Sequence, residues 1–448
     1  MGLFDYFIVT FEIGLKHFFE KLNRYTVTIS LLLIGWNVYC LCTDNADRFM
    51  TSLLLTIIFA LSTFFVLGIY VQVKMYPHRK RNEQIEKMFL DIGLISPSGD
   101  IPQFQGEEED EYVKIMAFKT VIPLHIWENK KPHLETYLNT KIIAIRYYKN
   151  NNNLVNLVLE KQLLPSSVDW SDYYLQYDKL ILGISHLEEI GIDLNNQPHF
   201  FVTGETGCGK SNLMKSLIYQ CLAKKHEVKL IDFKRGVSYS VFNKNLEIYS
   251  DYESILNLLE ELVDLTNKRL DTLTENEVEN ILEYNLLPNR HMSRLVVFID
   301  ELAELLKSSD KEVNKAVTGH LETLTRISRA VGINLVMGLQ RVDSTIITGQ
   351  IKNNVSTRIV GRFIDPEPSR IMLGNDLATN LPNIKGRFIL RADNFIEFQA
   401  FFVQKENMSL ASLPLKKERS KEVREQPKPI KSEDHKSKKL DFTFDDII

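Results

Sequence analysis

His199-Phe-Phe-Val-Thr-Gly-Glu-Thr-Gly-Cys-Gly-Lys-Ser-Asn212 decides the fold. Phe200–Thr203 is apolar and short enough to be a buried strand. A glycine-bearing loop follows, and Leu213–Ala223 then reads as a helix. The loop fits G-x-x-x-x-G-K-[ST] at Gly204, Gly209, Lys210 and Ser211. Glycine at such positions lets the backbone curl until successive N–H groups converge on one anion, and the helix N-terminus adds its dipole. A decorative glycine turn needs neither a preceding strand nor a following helix, and this stretch has both. Gly204, Glu205, Thr206, Gly207, Cys208, Gly209, Lys210 and Ser211 are therefore the expected ATP-binding residues. Lys210 is expected to reach the β and γ phosphates, and the Ser211 hydroxyl to ligate Mg²⁺.

A second stretch supports the first. Arg294-Leu-Val-Val-Phe-Ile-Asp-Glu-Leu302 is a strand pattern ending in two acids. A buried strand that delivers Asp300 and then Glu301 to the carboxyl edge of a parallel sheet suits a nucleotide site at that edge. Asp300 is expected in the Mg²⁺ shell and Glu301 as the general base that polarises the attacking water. Alone, the two acids would read as solvated charges at a strand end. Beyond Pro198, short apolar strands alternate with longer helical stretches, which predicts an α/β fold with a parallel sheet covered on both faces.

The chain has 448 residues, enough for two or three domains, with the apolar and charged fractions of a globular protein. Its formal net charge is −4, so any nucleic-acid surface must be a local concentration of Lys and Arg. The four cysteines, Cys40, Cys42, Cys208 and Cys221, have no metal-ligand spacing and form no disulfide framework, which predicts reduced thiols.

Toward the N-terminus, residues 1–25 are Phe-rich with Lys16, Lys21 and Arg24, and read as an amphipathic segment on a membrane surface. Two uncharged runs follow, Thr26–Thr43 and Leu53–Val73. At ~1.5 Å per residue each spans roughly 27–32 Å, the thickness of a bilayer core. Asp44, Asp47 and Arg48 between them suggest a tight polar turn, so residues 26–81 read as a transmembrane hairpin. Lys74, Arg79, Lys80 and Arg81 at its exit put both termini on the cytoplasmic side of a cell membrane. No small-residue cleavage site follows the first run, so an uncleaved anchor is expected. Residues 82–111, with Pro97, Gly99, Gly106 and the acidic run Glu107–Glu111, read as a linker with a short helix. A small α+β domain is expected over 112–195. It begins with strand 113–123, helix 126–138, strand 141–148, an Asn-rich turn and strand 154–161. The P-loop motor is expected over 196–405, and a charged, disordered tail over 406–448.

The motor resembles the FtsK/SpoIIIE family of DNA translocases. The resemblance is carried by Pro198–Gly204, Phe298-Ile-Asp-Glu-Leu-Ala-Glu304, Ser328-Arg-Ala-Val-Gly-Ile-Asn-Leu335, Leu339-Gln-Arg341 and Ile346–Arg358. It covers roughly Tyr112–Gln404 and implies a RecA-like motor preceded by a small βαββ domain. It also implies a homo-hexameric ring around DNA. Carried over by position, it implies that Gln340 senses the γ-phosphate. Arg329 matches the family's arginine finger, which serves a neighbouring subunit's ATP; Arg326, one turn earlier, is the competitor. A guanidinium supplied across an interface neutralises charge developing on the transferred phosphoryl group. Arg341 and Lys352 match positions on DNA-facing loops, where a phosphate contact needs charge and no base readout.

The pattern after Gln404 does not suit the winged-helix domain of the chromosome-handling members, and two spans are fewer than theirs. A shortened motor on a two-span anchor resembles the coupling proteins of Gram-positive conjugative elements. That implies a membrane-anchored, ATP-driven DNA pump working with a relaxase and channel proteins. The alternatives are a chromosome-partitioning translocase and a secretion-system ATPase that moves protein. An inactive membrane scaffold is disfavoured by the intact Lys210, Ser211, Asp300 and Glu301.

Overall fold

A computed structural model of the chain describes Tyr39 and residues 46–148, 151–343 and 348–415. The expected surface segment 1–25, the first apolar run save Tyr39, Ile346 and Ile347, and the tail from 416 lie outside the described residues. The chain divides into two units, Met1–Glu109 with Lys114–Leu159, and Asp110–Val113 with Glu160–Ile448.

In the first unit, helix α1 (Ala46–Ile92) takes in the whole second apolar run. It also takes in Asp47 and Arg48, which were expected in a turn. Leu54, Leu55, Ile58 and Val66 are each more than half exposed on it. Among the described residues no helix is long and apolar enough to cross a membrane. The last turns of α1 carry Ile85, Met88, Phe89 and Ile92, a stripe at helical spacing that is buried. Strands β1 (Gln103–Glu109), β2 (Val113–Lys119), β3 (Ile142–Tyr148) and β4 (Asn151–Glu160) form an antiparallel sheet in the order β1-β2-β4-β3. Helix α2 (Leu124–Leu138) contributes Trp127 and Leu134 to the same core, where the Phe89 ring lies 5.2 Å from Phe118 and 5.5 Å from Trp127.

The expected linker 82–111 is thus largely structured. Its acidic run becomes edge strand β1, with Glu107 ion-paired to Arg81 and, at 2.8 Å, to Lys114. Charge on an edge strand is compatible with pairing on one side and blocks it on the other. The Asn-rich turn is shorter than expected too, because Asn151–Asn153 already belong to β4.

The second unit is built on one sheet. Its strands are β5 (Val168–Asp169), β6 (Leu180–Ser185), β7 (Glu189–Ile192), β8 (His199–Thr203), β9 (Glu227–Ile231), β10 (Glu247–Tyr249), β11 (Leu295–Ile299), β12 (Ile333–Leu339), β13 (Thr357–Gly361), β14 (Arg387–Arg391) and β15 (Phe395–Phe402). The order is β10-β9-β11-β12-β8-β13-β14-β15-β6-β7, with β5 on β15. From β10 to β13 all neighbours are parallel; from β13 to β7 they are antiparallel. The sheet is therefore mixed, correcting the expectation of a parallel one. The correction has a local cause. A three-residue loop, Ala392-Asp393-Asn394, makes a β14–β15 hairpin, and Arg391 pairs with Phe395 across it.

Strands buried on both faces read as continuous apolar runs. In β11, Leu295, Val297 and Ile299 join one core cluster while Val296 and Phe298 join the other. Helix α3 (Lys210–Ala223) covers the second cluster through Leu213, Met214, Leu217 and Cys221. On the first face lie α4 (Tyr252–Glu275), α5 (Ile281–Leu286), the short α6 (Leu302–Leu305), α7 (Lys311–Ile327), α8 (Gly349–Asn354) and α9 (Pro366–Leu373). Asp251 caps α4 through the Ser254 amide at 2.9 Å, and Asp310 caps α7 through the Glu312 amide at 2.9 Å.

Two domain boundaries move. Strands β6 and β7 belong to this sheet, so residues 160–195 fold with the motor and not with the small domain. Residues 406–414 fold with it as well, since Met408 and Leu413 are buried in the same cluster as α3 and Asn245 Nδ2 donates to Pro414 O at 2.8 Å.

Candidate nucleotide site

Between the P-loop strand β8 and the acid-bearing strand β11 lies β12, hydrogen-bonded to both. The carboxyl ends of these parallel strands bring three segments to one edge: the loop 204–209, Asp300-Glu301 and Gln340. The loop curls as its glycines require, with φ of +147°, +89° and +108° at Gly204, Gly207 and Gly209. A Cβ on Gly209 would lie 2.7 Å from the Gly386 nitrogen, so only glycine fits against the turn before β14. The amide of Gly386 donates to Cys208 O at 2.7 Å, and that of Glu205 to Arg362 O at 3.2 Å. The loop is thus held from behind by its own neighbours. In front, the amides of Thr206, Gly207, Gly209 and Ser211 have no backbone acceptor among the described residues. Donors left unpaired at a helix N-terminus fit the phosphates of a nucleotide.

Lys210, the first residue of α3, is buried, and its Nζ donates to the Asp300 carbonyl. The same Nζ lies 3.7 Å from Asp300 Oδ1 and 3.7 Å from Glu301 Oε2. Ser211 follows on the same turn. Both Glu301 oxygens accept from the Gln340 amide, at 3.1 and 3.0 Å, and Thr206 Oγ1 donates to Gln340 Oε1 at 3.3 Å. Burial raises the Glu301 pKa above the ordinary carboxylate range, against the opposing pull of the Gln340 amide and Lys210. Such a shift suits a proton acceptor. Burial also pushes the Cys208 thiol up, so it is not an activated nucleophile. Among the described residues no group of three or more His, Cys, Asp or Glu side chains forms a protein-only metal site. One acid, one hydroxyl and phosphate oxygens are a fitting set for Mg²⁺, which seldom takes an all-protein cage.

Two residues in this site escaped the sequence reading. Asp232 follows β9 as Asp300 follows β11, and the register pairs Ile231 with Ile299. Tyr239, fully buried, donates its hydroxyl to Asp300 Oδ1 at 2.5 Å. For Asp232 the signal was present: Lys229-Leu-Ile-Asp232 repeats the strand-then-acid pattern of the stretch ending in Asp300.

The other expected residues lie apart. Arg329 is exposed in the turn before β12, with its Nε donating to Asn195 O at 3.3 Å. The seven residues of β12 put about 23 Å between it and Gln340. Arg329 is therefore at the amino edge, out of reach of its own P-loop. Arg326, on the last turn of α7, is exposed too. Arg341 is exposed just beyond the carboxyl end of β12. Lys352 was expected on a DNA-facing loop, but lies half-buried on α8, before the amino end of β13. Burial, then Arg358 and Arg391, lower its pKa. The structure thus assigns Arg341 and Lys352 to opposite edges of the sheet.

Strand, glycine loop, buried lysine and paired acids on the next-but-one strand define a P-loop ATPase. The FtsK/SpoIIIE family profile matches residues 180–294, starting where β6 starts. The DNA translocase FtsK of Staphylococcus aureus is 32% identical over 251 residues, covering 51% of this chain and 30% of that one. The DNA translocase FtsK of Bacillus cereus is 30% identical over 251 residues, with the same shares of 51% and 30%. The chain thus spans under a third of the length of these curated relatives. The solved structure of the pCW3 conjugation coupling protein TcpA, a monomer form with ATPgS, is 34% identical. It aligns over 73% of this chain and 97% of that one, with a TM-score of 0.54. This chain belongs to the FtsK/SpoIIIE family.

Proposed function

We propose that the chain is an ATP-driven DNA translocase, anchored in the cell membrane as the coupling protein that feeds DNA into a conjugative channel. The observation that carries this reading is the likeness to a conjugation coupling protein over 97% of that protein's solved chain at 34% identity. In this reading the loop amides and Lys210 bind the phosphates of ATP, while Ser211 and Asp300 hold Mg²⁺. An ion held by these two residues would supply charge neutralisation for the transferred phosphoryl group. Glu301 takes the proton of the attacking water, and its raised pKa supports that role. Gln340, bonded to both Thr206 and Glu301, links phosphate occupancy to the base. Arg329 serves the neighbouring subunit of a hexameric ring, which agrees with its place at the amino edge. Arg341 and Lys352 contact DNA phosphates. A relaxase and channel proteins are the remaining partners. The exposed Leu54, Leu55, Ile58 and Val66 of α1 suit a lipid environment, which supports the membrane anchor.

The test uses the full chain in lipid nanodiscs. Duplex DNA should stimulate ATP hydrolysis, and the motor should strip a third strand from a triplex. Hydrolysis indifferent to DNA, with the third strand left in place, would refute the DNA pump. A cysteine at Asp47 should be labelled from outside intact cells and one at Asn82 should not. Equal labelling of the two sites would refute the anchor.

A further inference from the structure

Tyr239 is 61 residues from Asp300 in sequence, yet its hydroxyl donates to one oxygen of that carboxylate at 2.5 Å. The contact is built. Strand β9 is followed directly by Asp232, whose Oδ1 accepts from the Lys234 amide at 3.0 Å and whose Oδ2 accepts from the Gly236 amide at 2.9 Å. These bonds close a tight turn that needs φ of +71° at Gly236, where a Cβ would run into Ile248. The chain then dives, and the Tyr239 ring is fully buried among apolar side chains.

At the other end of the contact, the main chain of Asp300 is clamped on both sides. Lys210 Nζ donates to its carbonyl, and β12 passes so close that a Cβ on Gly338 would overlap that carbonyl oxygen. Asp300 N in turn donates to Ile231 O at 3.0 Å. What remains free is rotation of the carboxylate, and the phenol removes it. A phenylalanine would fill the same space without burying a hydroxyl, so packing alone does not account for tyrosine.

We propose that Tyr239 is a positioning residue for the divalent cation: it holds Asp300 Oδ1 so that Oδ2 is presented to the metal shell. The inference rests on the reading of Asp300 as the metal-shell acid. Burial and the Asp300 charge raise the phenol's pKa well above its usual value, so it remains a donor throughout the working pH range. Partners of this kind, bonded to a metal ligand and not to the metal, fix the ligand's orientation, and losing one typically weakens metal binding by 10–100-fold.

The experiment titrates Mn²⁺ by electron paramagnetic resonance, and Mg²⁺ by fluorescent-nucleotide binding, on the full chain. Tyr239→Phe should raise the half-saturating concentration of both ions by about 10–100-fold. It should leave nucleotide affinity in EDTA unchanged, and excess Mg²⁺ should recover most of the hydrolysis rate. An unmoved metal midpoint, or nucleotide affinity lost equally in EDTA, overturns the proposal. If the phenylalanine variant does not fold, 3-fluorotyrosine at 239 keeps both ring and hydroxyl. Because the donor is kept, its metal midpoint should stay close to that of the wild type, and a midpoint displaced by about 10-fold or more overturns the proposal. Asp300→Asn separates the two readings. A midpoint unaffected by Asp300→Asn removes the reading of Asp300 itself. A midpoint moved by Asp300→Asn but not by Tyr239→Phe removes only the role of Tyr239.

Discussion

At the carboxyl edge of the motor sheet, Asp300 and Glu301 each lie 3.7 Å from Lys210 Nζ, and the loop amides in front have no backbone acceptor among the described residues. At the amino edge lie several arginines whose hydrogen-bond partners are uncharged oxygens. Arg269 donates to Val331 O at 2.8 Å, Arg294 to Asn334 Oδ1 at 2.8 Å, and Arg358 to Met372 O at 2.6 Å. Arg358 spends its guanidinium on the carbonyls of Lys352, Val355, Ile371 and Met372, two of them on the last turn of α9, where unpaired carbonyls and the helix dipole favour a cation. Arg329 differs from these in being exposed and held by one bond of 3.3 Å. One edge is thus an anion site with an acid beside it. The other is a structural seam in which Arg329 is exposed, and the role proposed for that arginine is to serve another molecule. A motor that hydrolyses ATP between subunits needs both edges, on different chains.

Breaking the carboxyl edge should cost most. Lys210→Ala removes a charge from the phosphates and should abolish hydrolysis and DNA transfer while the protein stays in the membrane. Glu301→Gln removes only the proton acceptor, so this variant should bind ATP and retain it. Rapid filtration with labelled nucleotide separates the two, and normal turnover in either would dislodge the residue from its role.

The amino edge should answer more weakly, and through stability. His199 starts β8 beneath Arg329; its Nδ1 accepts from the Leu335 amide at 3.1 Å, and burial, then Arg329, push its pKa down to about 4. The unfolded chain protonates this group near pH 6.5, so stability should fall as pH drops from there toward 4, by on the order of 3 kcal/mol. His199→Asn keeps an acceptor and does not titrate. Urea midpoints of the variant should depend less steeply on pH in that window. Parallel slopes for wild type and variant would assign the acid sensitivity to other groups.

How much of this was readable in the sequence depended on whether the cause was local. The P-loop was legible because its glycines, lysine and serine sit within eight residues and each has a stereochemical reason. Asp300-Glu301 was legible because it ends an apolar strand. Tyr239 was not, since nothing near it in sequence marks a tyrosine whose partner lies 61 residues away. Strand β1 was hidden because an acidic edge strand has the composition of a linker. Strands β6 and β7 were assigned to the small domain because adjacency in sequence suggested it, whereas β6 pairs with β15, more than 200 residues later. Lys352 was placed on a loop by the family resemblance, and the six-residue helix that carries it leaves little periodicity by which the sequence could have shown otherwise.

The contrast between the edges comes down to whether one active site is built from two chains, and mixing two dead variants tests this directly. Arg329→Ala subunits should bind ATP normally, because their own P-loops are intact, yet hydrolyse about 10³-fold more slowly or worse as a pure population. Lys210→Ala subunits should be equally inactive alone. Mixed rings should regain part of the DNA-stimulated activity, since some interfaces then join an intact P-loop to an intact arginine. If mixed rings assemble and stay inactive, or if Arg326→Ala complements in this way and Arg329→Ala does not, the assignment of Arg329 to a neighbour's site is contradicted.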